Sequence, residues 1–239
     1  MTENTHRYQR RVEILTQIYD RQRALELSVG GDFDALGIVE RELLVYAGLR
    51  RDHLLIDVGC GCGRLSKALA AWPDLKYVGI DSVAELLAQA KSISNRADWQ
   101  FVLVDGQTIP LIEGAADFVC FFSVFTHMWQ HESFRYLCDA ARVLKAGGRA
   151  VFSFYDFAVS DHWRHFQYSV DHPDDVINCV VGEAGVKAWA DHIGLNVVEL
   201  QAGGAPFIPL SIPVAREDGT RLPGLAAFSQ SIAVLEKPR

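Results

Sequence analysis

Residues 54–65 read Leu-Leu-Ile-Asp-Val-Gly-Cys-Gly-Cys-Gly-Arg-Leu. A short apolar strand, Leu54–Val58, runs into glycines at 59, 61 and 63. An amphipathic stretch follows at Arg64–Trp72, with Leu65, Ala68, Leu69 and Trp72 on one side and Pro73 as its stop. Glycines at such a turn let the backbone adopt left-handed conformations and let a ligand approach the main chain. A helix that begins there brings unpaired N–H groups to the same point. The junction therefore predicts a strand–turn–helix unit with a ligand site at the carboxyl end of the strand.

The rest of the chain repeats this rhythm. Strands are predicted at Lys76–Ile80, Trp99–Val104, Asp117–Phe122 and Arg149–Tyr155. Between them, Ser82 and Glu85 form a capping-box pattern before Val83, Leu86, Leu87 and Ala90. A further helix carries Phe134, Leu137, Cys138 and Ala141 and is expected to end at Gly147-Gly148. Alternating strands and helices imply a mostly parallel sheet covered on both faces, an α/β Rossmann-like architecture. Upstream, helices are predicted over 8–27 and about 34–47. Downstream, Val186, Trp189, Ala190 and Ile193 mark a helix stopped by Gly194. Leu195–Leu200 and Phe228–Leu235 then read as strands with no helix between them, so they should pair antiparallel. The expected organisation is one domain: a helical cap at 1–50, a ligand-binding core at 51–155, and a lid, last helix and terminal hairpin at 156–239.

Composition narrows the function classes. The 239 residues are 49% hydrophobic and 22% charged, enough to bury a full core. The net charge of −7 disfavours a nucleic-acid backbone as the main partner. The polar N-terminus lacks an apolar segment of signal type, and no apolar run reaches membrane-spanning length. Five cysteines without a CxxC pair argue against a disulfide framework or a four-cysteine zinc site, and suggest reduced thiols in a cytoplasmic protein.

Three features line up with strand ends: the glycine turn at 59–63, Asp81 after the second strand, and Asp105 after the third. A carboxylate at the second position can accept both hydroxyls of a ribose. Together they indicate a nucleoside-cofactor site. A dinucleotide fingerprint needs G-x-G-x-x-G, whereas the spacing here is G-x-G-x-G.

At this point the chain resembles the class I S-adenosylmethionine-dependent methyltransferases. The resemblance rests on DVGCGCGRL at 57–65, VGIDSV at 78–83, VDGQTIP at 104–110, ADFVCFFSVFTHM at 116–128 and RVLKAGGRAVFSFY at 142–155, and covers about residues 30–239. It implies a seven-stranded sheet with a reversed seventh strand. It also implies that Gly59, Cys60 and Gly61 face the methionine and ribose, with Asp57 near the amino group. Asp81, with Ser82, would take the ribose hydroxyls. Asp105, Gly106 and Gln107 would take the adenine, and Phe122 and Ser123 would lie under the methyl-donor end. Cys60 and Cys62 vary in such proteins and are read as small residues. The segment Val29–Asp34 resembles a cofactor-closing entry segment of members acting on small molecules and glycans.

His127, just after the fourth strand, is the candidate general base; the alternative is that it only orients the next segment. Asp156, His162, Trp163, His165, Tyr168 and His172 cluster as a candidate acceptor lid, with a polar surface loop as the plainer reading. His162 and His165 with Asp161 lack metal-ligand spacing, so no metal is assigned. Arg7, Arg10, Arg11, Arg21 and Arg23 make the front helix basic, which fits either an anionic acceptor or an ordinary solvated face. The expected activity is methyl transfer to a small-molecule or glycan acceptor, oxygen before nitrogen. A nicotinamide-dependent oxidoreductase and a non-catalytic S-adenosylmethionine-binding module remain the alternatives.

Overall fold

The computed structural model describes residues 3–175 and 177–239, with side chains from Thr5 onward. Seven strands form the main sheet: β1 Leu54–Val58, β2 Lys76–Asp81, β3 Gln100–Leu103, β4 Ala116–Phe121, β5 Leu144–Phe154, β6 Asn196–Gln201 and β9 Ser231–Glu236. Their order is β3-β2-β1-β4-β5-β9-β6. Strands β1 to β5 pair parallel, while β9 is antiparallel to both β5 and β6. The reversed seventh strand and the terminal pairing are as the pattern of the sequence implies. The long connection between β6 and β9 holds a second, two-stranded sheet of β7 Pro206–Pro209 and β8 Leu225–Ala227, which prolines had concealed.

The sheet is apolar on both faces because strand residues alternate sides. Ile56, Val58, Ile80, Phe121 and Phe152 pack with α6 (Gln130–Val143) and α8 (Gly182–Ile193). Leu55, Tyr77, Phe118, Cys120 and Val151 pack with α3 (Phe33–Tyr46) and α4 (Arg64–Leu69). The direction of strand order reverses between β1 and β4. Open α/β sheets bind ligands at the carboxyl ends of the strands beside such a point.

Several predicted boundaries are corrected. The front helix is two helices, α1 Glu3–Ile18 and α2 Arg21–Val29. The break falls at Asp20, whose side chain accepts the Arg23 N–H at 3.0 Å and so starts a new helix. Ser82 and Glu85 make no capping box: α5 (Ala84–Ser94) begins after Val83, and the Ser82 hydroxyl instead accepts a bond from Thr5 Oγ1 at 3.1 Å. Helix α6 ends at Val143, and Gly147-Gly148 lies inside β5. The His- and aromatic-rich segment is not a loop, since residues Ser160–Asp171 form α7.

Candidate active site

A cavity opens beyond the carboxyl ends of β1, β2 and β4, with Thr5 and Tyr8 of α1 closing one side. The glycine turn shapes its floor. Gly59, Gly61 and Gly63 have φ of +74°, +55° and +94°, the left-handed region that L side chains avoid. Close packing excludes side chains as well: a Cβ on Gly59 would stand 2.4 Å from Val124 Cγ2, and one on Gly61 would stand 2.8 Å from Val29 Cγ1.

Four amides of the turn, at 59, 60, 61 and 63, are taken by the protein itself. Gly59 N and Cys60 N donate to Ile80 O at 2.7 and 3.0 Å. Gly63 N donates to Cys60 O at 3.1 Å, and Gly61 N donates to Asp81 Oδ2 at 2.9 Å. The glycines therefore make room and hold Asp81, rather than supply free donors. Asp81 Oδ1 accepts a second amide, Val83 N, at 2.9 Å. Burial raises the Asp81 pKa while these amides oppose the rise, so the carboxylate is fixed in orientation at the cavity wall.

Of the residues singled out from sequence, Gly59, Cys60, Gly61, Asp81, Ser82, Gly106, Gln107, Phe122, Ser123 and His127 line this one cavity. Two are not brought into the lining. Asp57 is buried beneath it, accepting Tyr77 Oη–H at 2.6 Å and the Cys120 thiol at 3.5 Å. Burial pushes its pKa up to about 6. Its role is to carry the strand end from below. Asp105 is exposed and lies outside the lining. The 106–107 loop is instead tied to α6: Tyr136 Oη donates to Gly106 O at 2.8 Å, and Gln107 Nε2 donates to Glu132 Oε1 at 3.2 Å.

The segment after β4 forms the opposite wall. Ser123 is a non-glycine residue at φ +57°, a strained conformation of the kind that collects at functional sites. Its N–H donates to Ser153 Oγ at 2.7 Å, and its hydroxyl pairs with the Gln230 amide at 3.1 Å. His127 Nδ1 lies 2.8 Å from Ile177 O, and a carbonyl can only accept, so the proton sits on Nδ1. The remaining nitrogen, Nε2, is the proton-free one. Burial lowers the His127 pKa to about 4, so the ring is neutral at pH 7.

Helix α7 is anchored rather than loose. His162 is buried, accepting Asp156 N at 2.9 Å on Nδ1 and donating from Nε2 to Ser229 O at 2.9 Å. His165 stacks on Tyr155 with centroids 4.8 Å apart. Neither His162 nor His165, nor Trp163, reaches the cavity lining.

Val29, the first residue of the entry segment singled out from sequence, also lines the wall, whereas sequence reasoning missed Thr5, Tyr8, Glu132 and Tyr136 there. Arg64, quoted within the glycine motif but given no role, lines it too. It lies 2.7 Å from Glu40 Oε1 and donates to Gly30 O at 3.1 Å, so its charge is met by protein groups.

Residues 55–148 match the family described as a methyltransferase domain. Over these residues the chain carries a methyltransferase domain of the class I, S-adenosylmethionine-dependent type. The chain is 29% identical over 149 residues to a malonyl-[acyl-carrier protein] O-methyltransferase of Methylococcus capsulatus, covering 58% of this chain and 53% of that protein. It is 38% identical over 60 residues to a trans-aconitate 2-methyltransferase of Pseudomonas paraeruginosa, covering 25% of this chain and 22% of that protein. The chain thus spans about half or less of the length of these curated relatives. The methyltransferase fold extends through the whole chain: a Thermotoga maritima SAM-dependent methyltransferase superposes with a TM-score of 0.63 at 14% identity, covering 99% of this chain and 100% of that one.

Proposed function

We propose that this chain transfers a methyl group from S-adenosylmethionine to a small-molecule or glycan acceptor, with oxygen favoured over nitrogen. The observation that carries this reading is Asp81. Its carboxylate stands at the end of β2, locked by the Gly61 and Val83 amides against a turn too tight for side chains. That cradle fits a ribose on the carboxylate and a narrow chain over the glycines. The relative named for O-methylation supports an oxygen acceptor.

When bound, the cofactor supplies an already activated methyl group on a sulfonium. The protein's work is then to bind, orient and exclude water. Asp81 and Ser82 hold the ribose hydroxyls. Gly59, Cys60 and Gly61 pass the methionine portion, while Gly106, Gln107, Val83, Leu86 and Val104 surround the base. Asp105 borders that end from the rim, and Asp57 supports the turn from beneath through Tyr77. Phe122 and Ser123 wall the methyl-donor end. Thr5 and Tyr8 shut α1 over the site and keep water out. His127 presents Nε2 as a hydrogen-bond acceptor that orients the acceptor group. With a conjugate-acid pKa near 4 it is a weak proton sink, so its role is positioning rather than strong base catalysis.

The test is incubation with methyl-labelled S-adenosylmethionine and a pooled metabolite extract, with products identified by mass. Formation of labelled small molecules together with S-adenosylhomocysteine supports the reading. Cofactor binding with no transfer to any fraction would leave a binding module and contradict it.

A further inference from the structure

Helix α7 turns its polar side inward and its apolar side outward. His162 is bonded on both ring nitrogens, His165 stacks on Tyr155, and the Ser169 hydroxyl accepts the Asn178 N–H at 2.9 Å, so these three residues face the protein. Trp163, Phe166 and Val170 stand at i, i+3 and i+7 and form a stripe on another face. Trp163 is 51% and Val170 63% exposed, and Phe157, just before the helix, is 51% exposed. The rings of Phe157, Trp163 and Phe166 pack on one another with centroids 5.2–5.4 Å apart, and none of them joins the hydrophobic clusters of the sheet. Single exposed apolar side chains are ordinary, but a contiguous patch of aromatics marks a surface that another molecule covers.

The charges beside the stripe select the occupant. Arg164 and Asp171 are seven residues apart, so both lie along the same border of the stripe. Asp171 is exposed, and Arg164 reaches Asp161 of its own helix only at 3.7 Å, with the two side chains 83% and 75% exposed. Acids at 161, 171 and 174 against the arginine at 164 disfavour an anionic lipid surface. A second copy of the helix is complementary, because a two-fold pair brings the same patch of each molecule together. Antiparallel about an axis near Gln167, Arg164 faces the partner's Asp171 at both ends. The same register brings Trp163 within a turn of the partner's Val170 and leaves Phe166 beside the axis. A parallel pair would instead set Arg164 against the partner's Arg164.

We propose that this chain associates as a two-fold homodimer through antiparallel α7 helices, with Trp163, Phe166 and Val170 at the centre and an Arg164–Asp171 pair at each end. The contact bears on the cavity. The chain leaving α7 presents the Pro173 and Asp175 carbonyls to Arg7 of α1 and the Ile177 carbonyl to His127 Nδ1. A dimer that fixes α7 therefore steadies both the helix that closes the site and the imidazole in its wall. The interface does not depend on which acceptor is methylated.

The test is the mass of the full chain in solution, measured by light scattering across a concentration series. The wild type should weigh as two chains at the upper end and dissociate reversibly on dilution. Trp163→Glu puts a charge at the centre of the stripe and should be monomeric throughout. Arg164→Asp and Asp171→Arg should each weaken association by about tenfold or more, and the double variant carrying both exchanges should return to within about threefold of wild type. These side chains are exposed, so each variant should keep the wild-type circular dichroism spectrum. A wild type that stays monomeric overturns the proposal, and binding of that monomer to phosphatidylglycerol vesicles would assign the stripe to a membrane instead. A dimer that Trp163→Glu leaves intact also overturns it, by placing the interface elsewhere. Single exchanges without effect, or a double variant that recovers nothing, overturn the antiparallel pairing.

Discussion

The ring of Tyr8 meets the imidazole of His127 edge to face, with centroids 5.9 Å apart and planes at 76°. This contact joins α1 to the segment after β4 across 119 positions of sequence. It also puts a phenol and a neutral imidazole at the end of the cavity where an acceptor would enter.

His127 should stay neutral throughout the physiological range. Its imidazole should titrate near pH 4 by NMR, against about 6.5 for an unperturbed histidine. Because its folded pKa lies below the unfolded value, its contribution to stability is present above about pH 6.5 and fades as pH falls through about 4. His127→Ala should cost less than about tenfold in turnover with the pH profile unchanged, whereas loss of a true base costs about 100-fold or more. A hundredfold loss with an altered pH profile would restore the base assignment.

The contribution of Glu40 to stability should fall as pH rises from 5 to 8, opposite in sign to that of His127. Burial raises the Glu40 pKa to about 7 against the opposing pull of Arg64, and burial likewise raises Asp57 to about 6. Groups raised on folding stabilise fully below their unfolded pKa and lose that contribution as pH passes the folded value. Denaturant titrations at pH 5 and pH 8 should show that the change in stability over this range is less unfavourable in Glu40→Gln than in wild type by on the order of 2 kcal/mol. An identical slope in the variant would show that Glu40 is ionised in the folded protein across that range.

Gly59→Ala should be destabilising and should also weaken cofactor binding. The residue sits at φ +74°, and its new Cβ would approach Val124 Cγ2 to 2.4 Å. Left-handed strain and displacement of a wall residue together cost about 2–4 kcal/mol. Gly114→Ala is the control: φ is +64° but nothing lies within 4 Å, so only the strain of about 1–2 kcal/mol remains. Equal denaturation midpoints for the two variants would refute the steric part of this account.

Much of the core was legible because its signals are local. Leu54–Val58, the glycine turn and Asp81 each follow from residues adjacent in sequence, and β9 followed from two apolar strands lacking a helix between them. The walls of the cavity were not legible. Thr5 bonds to Ser82 across 77 positions, and neither residue carries a motif that predicts the partner. From local sequence alone Ser82 reads as a helix cap, whereas Val83 occupies the N-cap position of α5. Asp57 looked like a ligand residue from its place in the motif, yet Tyr77, 20 residues on, takes its carboxylate. Helix α7 was hidden by its aromatics, Trp163, Phe166 and Tyr168, two of which are exposed instead of forming a buried stripe.

The central claim is that Asp81 and the glycine turn hold S-adenosylmethionine. Calorimetric titration of wild-type and Asp81→Ala protein with S-adenosylhomocysteine and, separately, with NAD tests it most directly. The account predicts saturable one-to-one binding of S-adenosylhomocysteine, weakened at least about tenfold by Asp81→Ala, and no binding of NAD. Binding of NAD with none of S-adenosylhomocysteine would contradict it.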